Sequence, residues 1–160
     1  SLKDVVKSFA MQGVRKICLV NGHFENSWFI VEAIDLALRE LRWDGITDLK
    51  VVVLSYWDFV HKEAIAQLYP GGFPGWDVEH GGVLETSLML ALHPHLVHLD
   101  SAVDHPAASF PPYDVYPVKP EWTPCSGTLS SPKEASVEKG HILLQVCTTG
   151  IVGALRAEFG

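Results

Sequence analysis

Apolar side chains at Leu2, Val5, Val6, Phe9 and Ala10 recur at helical spacing, with Ser1 placed to cap the start and Gly13 to end it in a left-handed turn. The period then changes. Ile17, Cys18, Leu19 and Val20 form a short apolar run after Lys16, closed by Asn21 and Gly22, as a buried parallel strand would be. From about Asn26 or Ser27 to Arg42, the residues Trp28, Ile30, Val31, Ile34, Leu38 and Leu41 return to helical spacing, opposite Glu32, Asp35, Arg39 and Glu40. After a turn at 44–48, a valine-rich strand runs from Lys50 to Tyr56. Helix, strand, helix and strand in alternation predict an α/β domain with a mainly parallel sheet and a right-handed crossover. Ligands of such folds lie beyond the carboxyl ends of the strands, here Asn21–Asn26 and Trp57 with Asp58.

The second half reads less regularly. A short helix is expected over Ala64–Tyr69, followed by the loop from Pro70 to Trp76. Another helix runs from about Gly82 to Leu92, stopped by Pro94. The stretch 107–132, which holds Pro111, Pro112, Pro117, Pro120, Pro124 and Pro132, predicts an irregular excursion or a partner-binding arm. A final helix is expected from Pro132 to Phe159, with Gly140, Gly150 and Gly153 as weak points. No internal repeat is present.

Composition narrows the function classes. With 160 residues, 48% apolar and 19% charged, the chain can form one domain with a real core, spanning 1–160. A net charge of −7 argues against a surface that tracks phosphates, so nucleic acid is not expected as a partner. No uninterrupted apolar stretch approaches the roughly 20 residues of a membrane span, so no membrane is expected and the cytoplasm is the default location. Cys18, Cys125 and Cys147 are few, separated and odd in number, which suggests neither a disulfide framework nor a cysteine knuckle. Eight histidines outnumber them, so metal chemistry here would use imidazole and carboxylate, donors suited to zinc or manganese.

Two clusters carry candidate chemistry. In Asn21-Gly22-His23-Phe24-Glu25-Asn26, a strand-to-helix turn can bring His23 and Glu25 to one cleft, half of a hydrolytic metal site; the bland alternative is a solvated turn. In Trp76-Asp77-Val78-Glu79-His80-Gly81-Gly82, acidic and imidazole groups precede a helix and could move protons; otherwise Asp77 and Glu79 are ordinary acids at a helix start. Trp57 and Trp76 in loops could sandwich a flat heterocycle, although core packing is the commoner use of an indole. Glu85 reads as a buried carboxylate or a surface acid, and His93, His95 and His98 as structural or exposed.

Taken together, Asn21–Asn26, Glu79–Gly82 followed by Glu85-Thr86-Ser87, the run Val51–Phe59 and the tail Glu134–Gly140 resemble the creatininase family of amidohydrolases over essentially the whole chain. Members generally carry alanine and glutamate where this chain has Gly81 and Val83; with the two tryptophans, this is most similar to members acting on creatinine, less to those acting on formamides or peptides. The resemblance implies a three-layer α/β/α fold and a closed homo-oligomer. It implies a binuclear centre of two divalent ions, zinc or manganese, with His23 and Glu25 each ligating one ion. His80 would shuttle protons with Glu79 in support, and Trp57, Trp76, Asp77 and Phe24 would hold the substrate. The implied reaction interconverts creatinine and creatine through attack of a metal-bound hydroxide on the lactam carbonyl. Further family ligands belong to a segment about a hundred residues upstream of this turn. The chain, which opens on Ser1, is therefore expected to be N-terminally incomplete and inactive alone. Two other readings are a family hydrolase of another amide such as a formamide, and a non-catalytic fragment that assembles with a partner.

Overall fold

Two strands, β1 (Lys16–Asn21) and β2 (Lys50–Ser55), pair in parallel with Lys16 opposite Lys50 and Asn21 opposite Ser55. The register therefore sets the ends of both strands side by side. The computed structural model describes all 160 residues and divides into two units, Ser1–Phe59 with Cys147–Gly160, and Val60–Val146.

In the first unit the predicted alternation is observed. Helix α1 (Leu2–Met11) buries Val6 and Ala10, and α2 (Asn26–Trp43), the crossover between the strands, buries Ile30, Ala37 and Leu41. The Ser1 hydroxyl donates to the Asp4 carboxylate at 2.7 Å, and Gly13 takes the expected left-handed conformation at φ 95°. Lys3 and Lys7 of α1 both donate to Glu40 of α2, at 2.8 and 2.6 Å. The strands are less buried than their apolar runs predict: Val20 and Val53 are exposed. A sheet of two strands cannot cover both of its own faces. A single 3₁₀ turn, Tyr56–Phe59, follows β2.

The second unit holds α3 (Lys62–Leu68), a 3₁₀ turn at Trp76–Val78 and α4 (Val83–Leu92). His61 caps α3, its Nδ1 accepting from the Ala64 N–H at 3.3 Å. Leu68, Tyr69, Val78, Val83, Leu84 and Leu143 form its interior. The proline-rich stretch contains only a 3₁₀ turn, Pro120–Trp122, as expected for a chain that cannot donate at its prolines. Its base is held by backbone bonds: the Ala108 N–H donates to the Leu129 carbonyl at 2.7 Å, and the Leu129 N–H to the His80 carbonyl at 2.9 Å.

The last helix, α5, is Val137–Phe159 and starts five residues later than the sequence pattern predicts. Residues 132–135 form a turn, closed by the Ala135 N–H on the Pro132 carbonyl at 2.9 Å. Ser136 then accepts from the Lys139 N–H at 3.2 Å, as an N-cap does. Two of its glycines are close-approach points, not weak points. A methyl on Gly140 would run into the Ser87 carbonyl and stand 2.7 Å from Ala91 Cβ of α4, and one on Gly150 would enter the ring of Phe59. By length and composition α5 is long and apolar enough to cross a membrane, although charged and polar residues interrupt its apolar run. His141, Gln145 and the three glycines punctuate it, and Leu143 is fully buried while most of the helix is not.

Candidate active site

In the first unit the site is built on Asn21, the last residue of β1 and only 4% exposed. Its Oδ1 accepts from the His23 N–H at 3.1 Å and from Asn26 Nδ2 at 3.3 Å. Its Nδ2 donates to Ser27 Oγ and Ser55 Oγ, both at 3.3 Å, which ties the turn to the end of β2. Bonds from the Asn26 N–H to the His23 carbonyl and from the Ser27 N–H to the Phe24 carbonyl then start α2. The turn so fixed brings His23 Nδ1 to 2.6 Å from Glu25 Oε2, with both side chains more than half exposed. Phe24, between them, projects to solvent and meets the Trp28 ring edge-on at 5.6 Å. Trp57 lies on the turn after β2, edge-on to Tyr56 at 5.0 Å, and the Asp58 carboxylate anchors that turn by accepting the Ser55 N–H at 2.7 Å. Both groups sit at the carboxyl ends of the strands, where an α/β fold collects its ligands.

In the second unit the loop carrying His80 is held on every side while its side chain stays exposed. Glu79 Oε1 accepts from the Leu84 N–H at 2.7 Å in the first turn of α4, and Oε2 accepts from the Tyr69 hydroxyl. The Glu85 carboxylate accepts the Gly81 N–H, and Thr86 Oγ1 donates to the Gly81 carbonyl at 3.3 Å. Glu79 is thus a loop-holding group whose two oxygens are both engaged, and Glu85 is half-buried and does the same from α4. Burial pushes the Glu79 carboxyl above its ordinary range. The Tyr69 hydroxyl and the Leu84 and Glu85 N–H groups oppose that shift, and the Glu85 charge adds to it. Burial, then the facing Glu79 carboxylate, raises the Tyr69 phenol as well. Asp77 and Trp76 are exposed, and Trp76 rests edge-on against Phe73 at 5.0 Å.

Within each unit the expected residues come together: His23 with Glu25 in one, Glu79 with the loop of His80 in the other. The three histidines 93, 95 and 98 do not form a centre; His93 and His95 meet only ring to ring at 6.1 Å. No group of three side chains able to hold a metal ion occurs in the chain. Sequence reasoning took Asn21 for turn punctuation and passed over Tyr69. A second asparagine at Asn26 was the available signal for the first, since paired Asn side chains commonly bond a turn's own backbone. Tyr69 gave none, because its partner Glu79 lies across a loop.

The protein-family model described as creatinine amidohydrolase, Creatininase, matches residues 1–155. A creatinine amidohydrolase of Pseudomonas putida is 64% identical over 160 residues, covering 99% of this chain and 62% of that protein. A Zn-Zn type glutamate-to-glutamine mutant creatininase and a creatininase described as Mn each superpose with a TM-score of 0.96 at 64% identity, over 99% of this chain and 62% of theirs. The chain thus spans less than two thirds of the length of these relatives, and its fold is theirs over that span.

Proposed function

The chain belongs to the creatininase family, and from that premise we propose that it forms part of a metal-dependent cyclic amidohydrolase that interconverts creatinine and creatine. The observation that carries this reading is the convergence of His23 Nδ1 and Glu25 Oε2 at the end of β1, locked by Asn21. An imidazole nitrogen and a carboxylate oxygen are the donors that zinc and manganese share. They fit half of a centre: a hydrolytic ion takes about three protein ligands, and these 160 residues offer no group of three. A complete centre needs donors from outside them.

Two divalent ions, when bound, would polarise the lactam carbonyl and lower the pKa of the attacking water. The chain's own residues supply the rest. Opening the ring breaks the bond from carbonyl carbon to ring nitrogen, and that nitrogen must receive a proton. His80, exposed on a loop whose backbone is fixed by Glu85, Leu129 and Thr86, is suited to carry it from the attacking water. Glu79 holds that loop. Trp57 and Phe24 in the first unit, and Trp76 and Asp77 in the second, are the substrate-holding residues that the family resemblance implies, each indole offering an aromatic face suited to a flat five-membered ring. A closed homo-oligomer and a cytoplasmic location accompany the reading.

The test is a chimera in which these 160 residues replace the matching segment of the Pseudomonas putida enzyme. Metal-dependent creatinine hydrolysis is expected, abolished by chelation and lost in His23→Ala and His80→Ala. A folded, metal-loaded chimera that leaves creatinine intact but hydrolyses a formamide would replace the substrate, and one inert to both would remove the catalytic reading.

A further inference from the structure

Tyr69 is 7% exposed, at the end of α3. A phenylalanine would fill the same space without burying a hydroxyl, and a buried hydroxyl is costly unless it is bonded. Here it donates to Glu79 Oε2, a carboxylate itself mostly removed from water. The same ring packs against Phe73 with centroids 5.0 Å apart, and Phe73 packs against Trp76 at 5.0 Å. Between Tyr69 and Trp76 lies a loop in which Gly72 and Gly75 take φ values of 111° and 118°, conformations that only glycine adopts without strain. Trp76, 42% exposed, starts the 3₁₀ turn that follows this loop. The chain of three rings spans the loop from Tyr69 to Trp76.

We propose that Tyr69 is a positioning residue that sets two parts of the site from one buried ring, Glu79 through its hydroxyl and Trp76 through Phe73. The inference rests on the reading of the Glu79 and His80 loop as proton-handling and of Trp76 as ring-framing. The groups that bear on the pair are Glu85 and the Leu84 N–H on the Glu79 side, and Glu134 and Lys139 on the Tyr69 side, the Lys139 Nζ lying 5.9 Å from the Tyr69 ring centre.

The two arms separate in two variants. Tyr69→Phe keeps the ring stack and removes one charge-assisted hydrogen bond to Glu79, so the Glu79 midpoint should rise by about one pH unit. Phe73→Leu breaks the stack and leaves the hydroxyl in place. The intact 160-residue chain is labelled with 13C at the glutamate carboxylates and with 5-fluorotryptophan, Trp76 being assigned by Trp76→Phe, and circular dichroism confirms that each variant is folded. Expected are a raised Glu79 midpoint with an unmoved Trp76 fluorine resonance in Tyr69→Phe, and the reverse in Phe73→Leu. Tyr69→Phe with an unchanged Glu79 midpoint, or Phe73→Leu with an unchanged Trp76 resonance, overturns the proposal. Adding creatinine to the metal-loaded Pseudomonas putida chimera, labelled in the same way, separates it from the reading beneath it: if the variants behave as expected but creatinine never moves the Trp76 resonance, the positioning role stands and the substrate assignment falls.

Discussion

Glu79 and Gly82 share one space: a methyl group on Gly82 would stand 2.6 Å from Glu79 Oε2 and 2.9 Å from Oε1, and would also meet Ser130 Oγ. The carboxylate cannot give way freely, because the Leu84 N–H and the Tyr69 hydroxyl hold its two oxygens. Gly82→Ala is therefore expected to destabilise the second unit by about 1–3 kcal/mol, the ordinary cost of overpacking a filled interior. Urea unfolding measures it. Gly71→Ala, where a methyl meets nothing within 4 Å, is the control and should stay within about 0.5 kcal/mol.

The raised Glu79 carboxyl makes stability depend on pH in a defined direction. Burial holds its folded pKa above the ordinary value of 4.5. The native state therefore keeps the proton longer than the unfolded chain, and the associated stability is complete below pH 4.5 and lost as pH rises through the folded value. Glu63 and Glu138 act oppositely, each held below its ordinary range by backbone and side-chain hydrogen bonds. Comparison with Glu79→Gln cancels them. The unfolding free energy of the wild type, relative to the variant, should fall between pH 4.5 and neutrality; a difference constant across that range would show that Glu79 ionises as it does in water.

How much of this was legible in the sequence depends on the range of the interactions. Elements whose signal is a local period, α1, β1, α2, β2 and α4, lie within a few residues of their expected bounds, because amphipathic spacing and caps are local physics. His23 and Glu25 were readable for the same reason, since two residues of one turn need no distant partner to meet. The start of α5 was misplaced because Ser136 is one of several cap-capable residues there, and only its bond to the Lys139 N–H singles it out. The function of Gly140 and Gly150 was invisible, because what matters is Ser87 in α4 and Phe59, more than fifty residues away in sequence. Tyr69 was missed on the same ground.

The glycines of α5 give opposite outcomes for one substitution. In a helix interior, alanine is favoured over glycine by about 1 kcal/mol where space allows. Gly153 has nothing within 4 Å of an added methyl, so Gly153→Ala should stabilise by about 0.5–1 kcal/mol. At Gly140 the obstacle is the Ser87 carbonyl, backbone of a packed helix, so Gly140→Ala should lose about 1–3 kcal/mol despite its better propensity. Thermal unfolding of the two variants should move the midpoint in opposite directions. Equal shifts would mean that α4 and α5 do not approach closely at Ser87.

Metal binding tests the proposed half-site directly. His23 and Glu25 present two donors 2.6 Å apart in solvent, close enough for an ion drawing on both to replace the hydrogen bond between them. With two donors where a hydrolytic ion takes about three, affinity for Zn²⁺ should fall well short of that of a closed structural site. Removing either donor leaves one, so His23→Ala and Glu25→Ala should each weaken Zn²⁺ and Mn²⁺ binding at least tenfold. The double variant separates two arrangements: losses that add mean that each donor serves its own ion, and a double variant no worse than either single one means that both act on one ion. Asn21→Ala keeps both donors but frees the turn that aims them, and loss of such orienting partners typically costs 10–100-fold in affinity. Titration calorimetry of the four variants decides the matter: affinity indifferent to His23 and Glu25 would locate the bound metal elsewhere in the chain, whereas indifference to Asn21 alone would leave the ligands in place and show that the turn holds its shape without the amide.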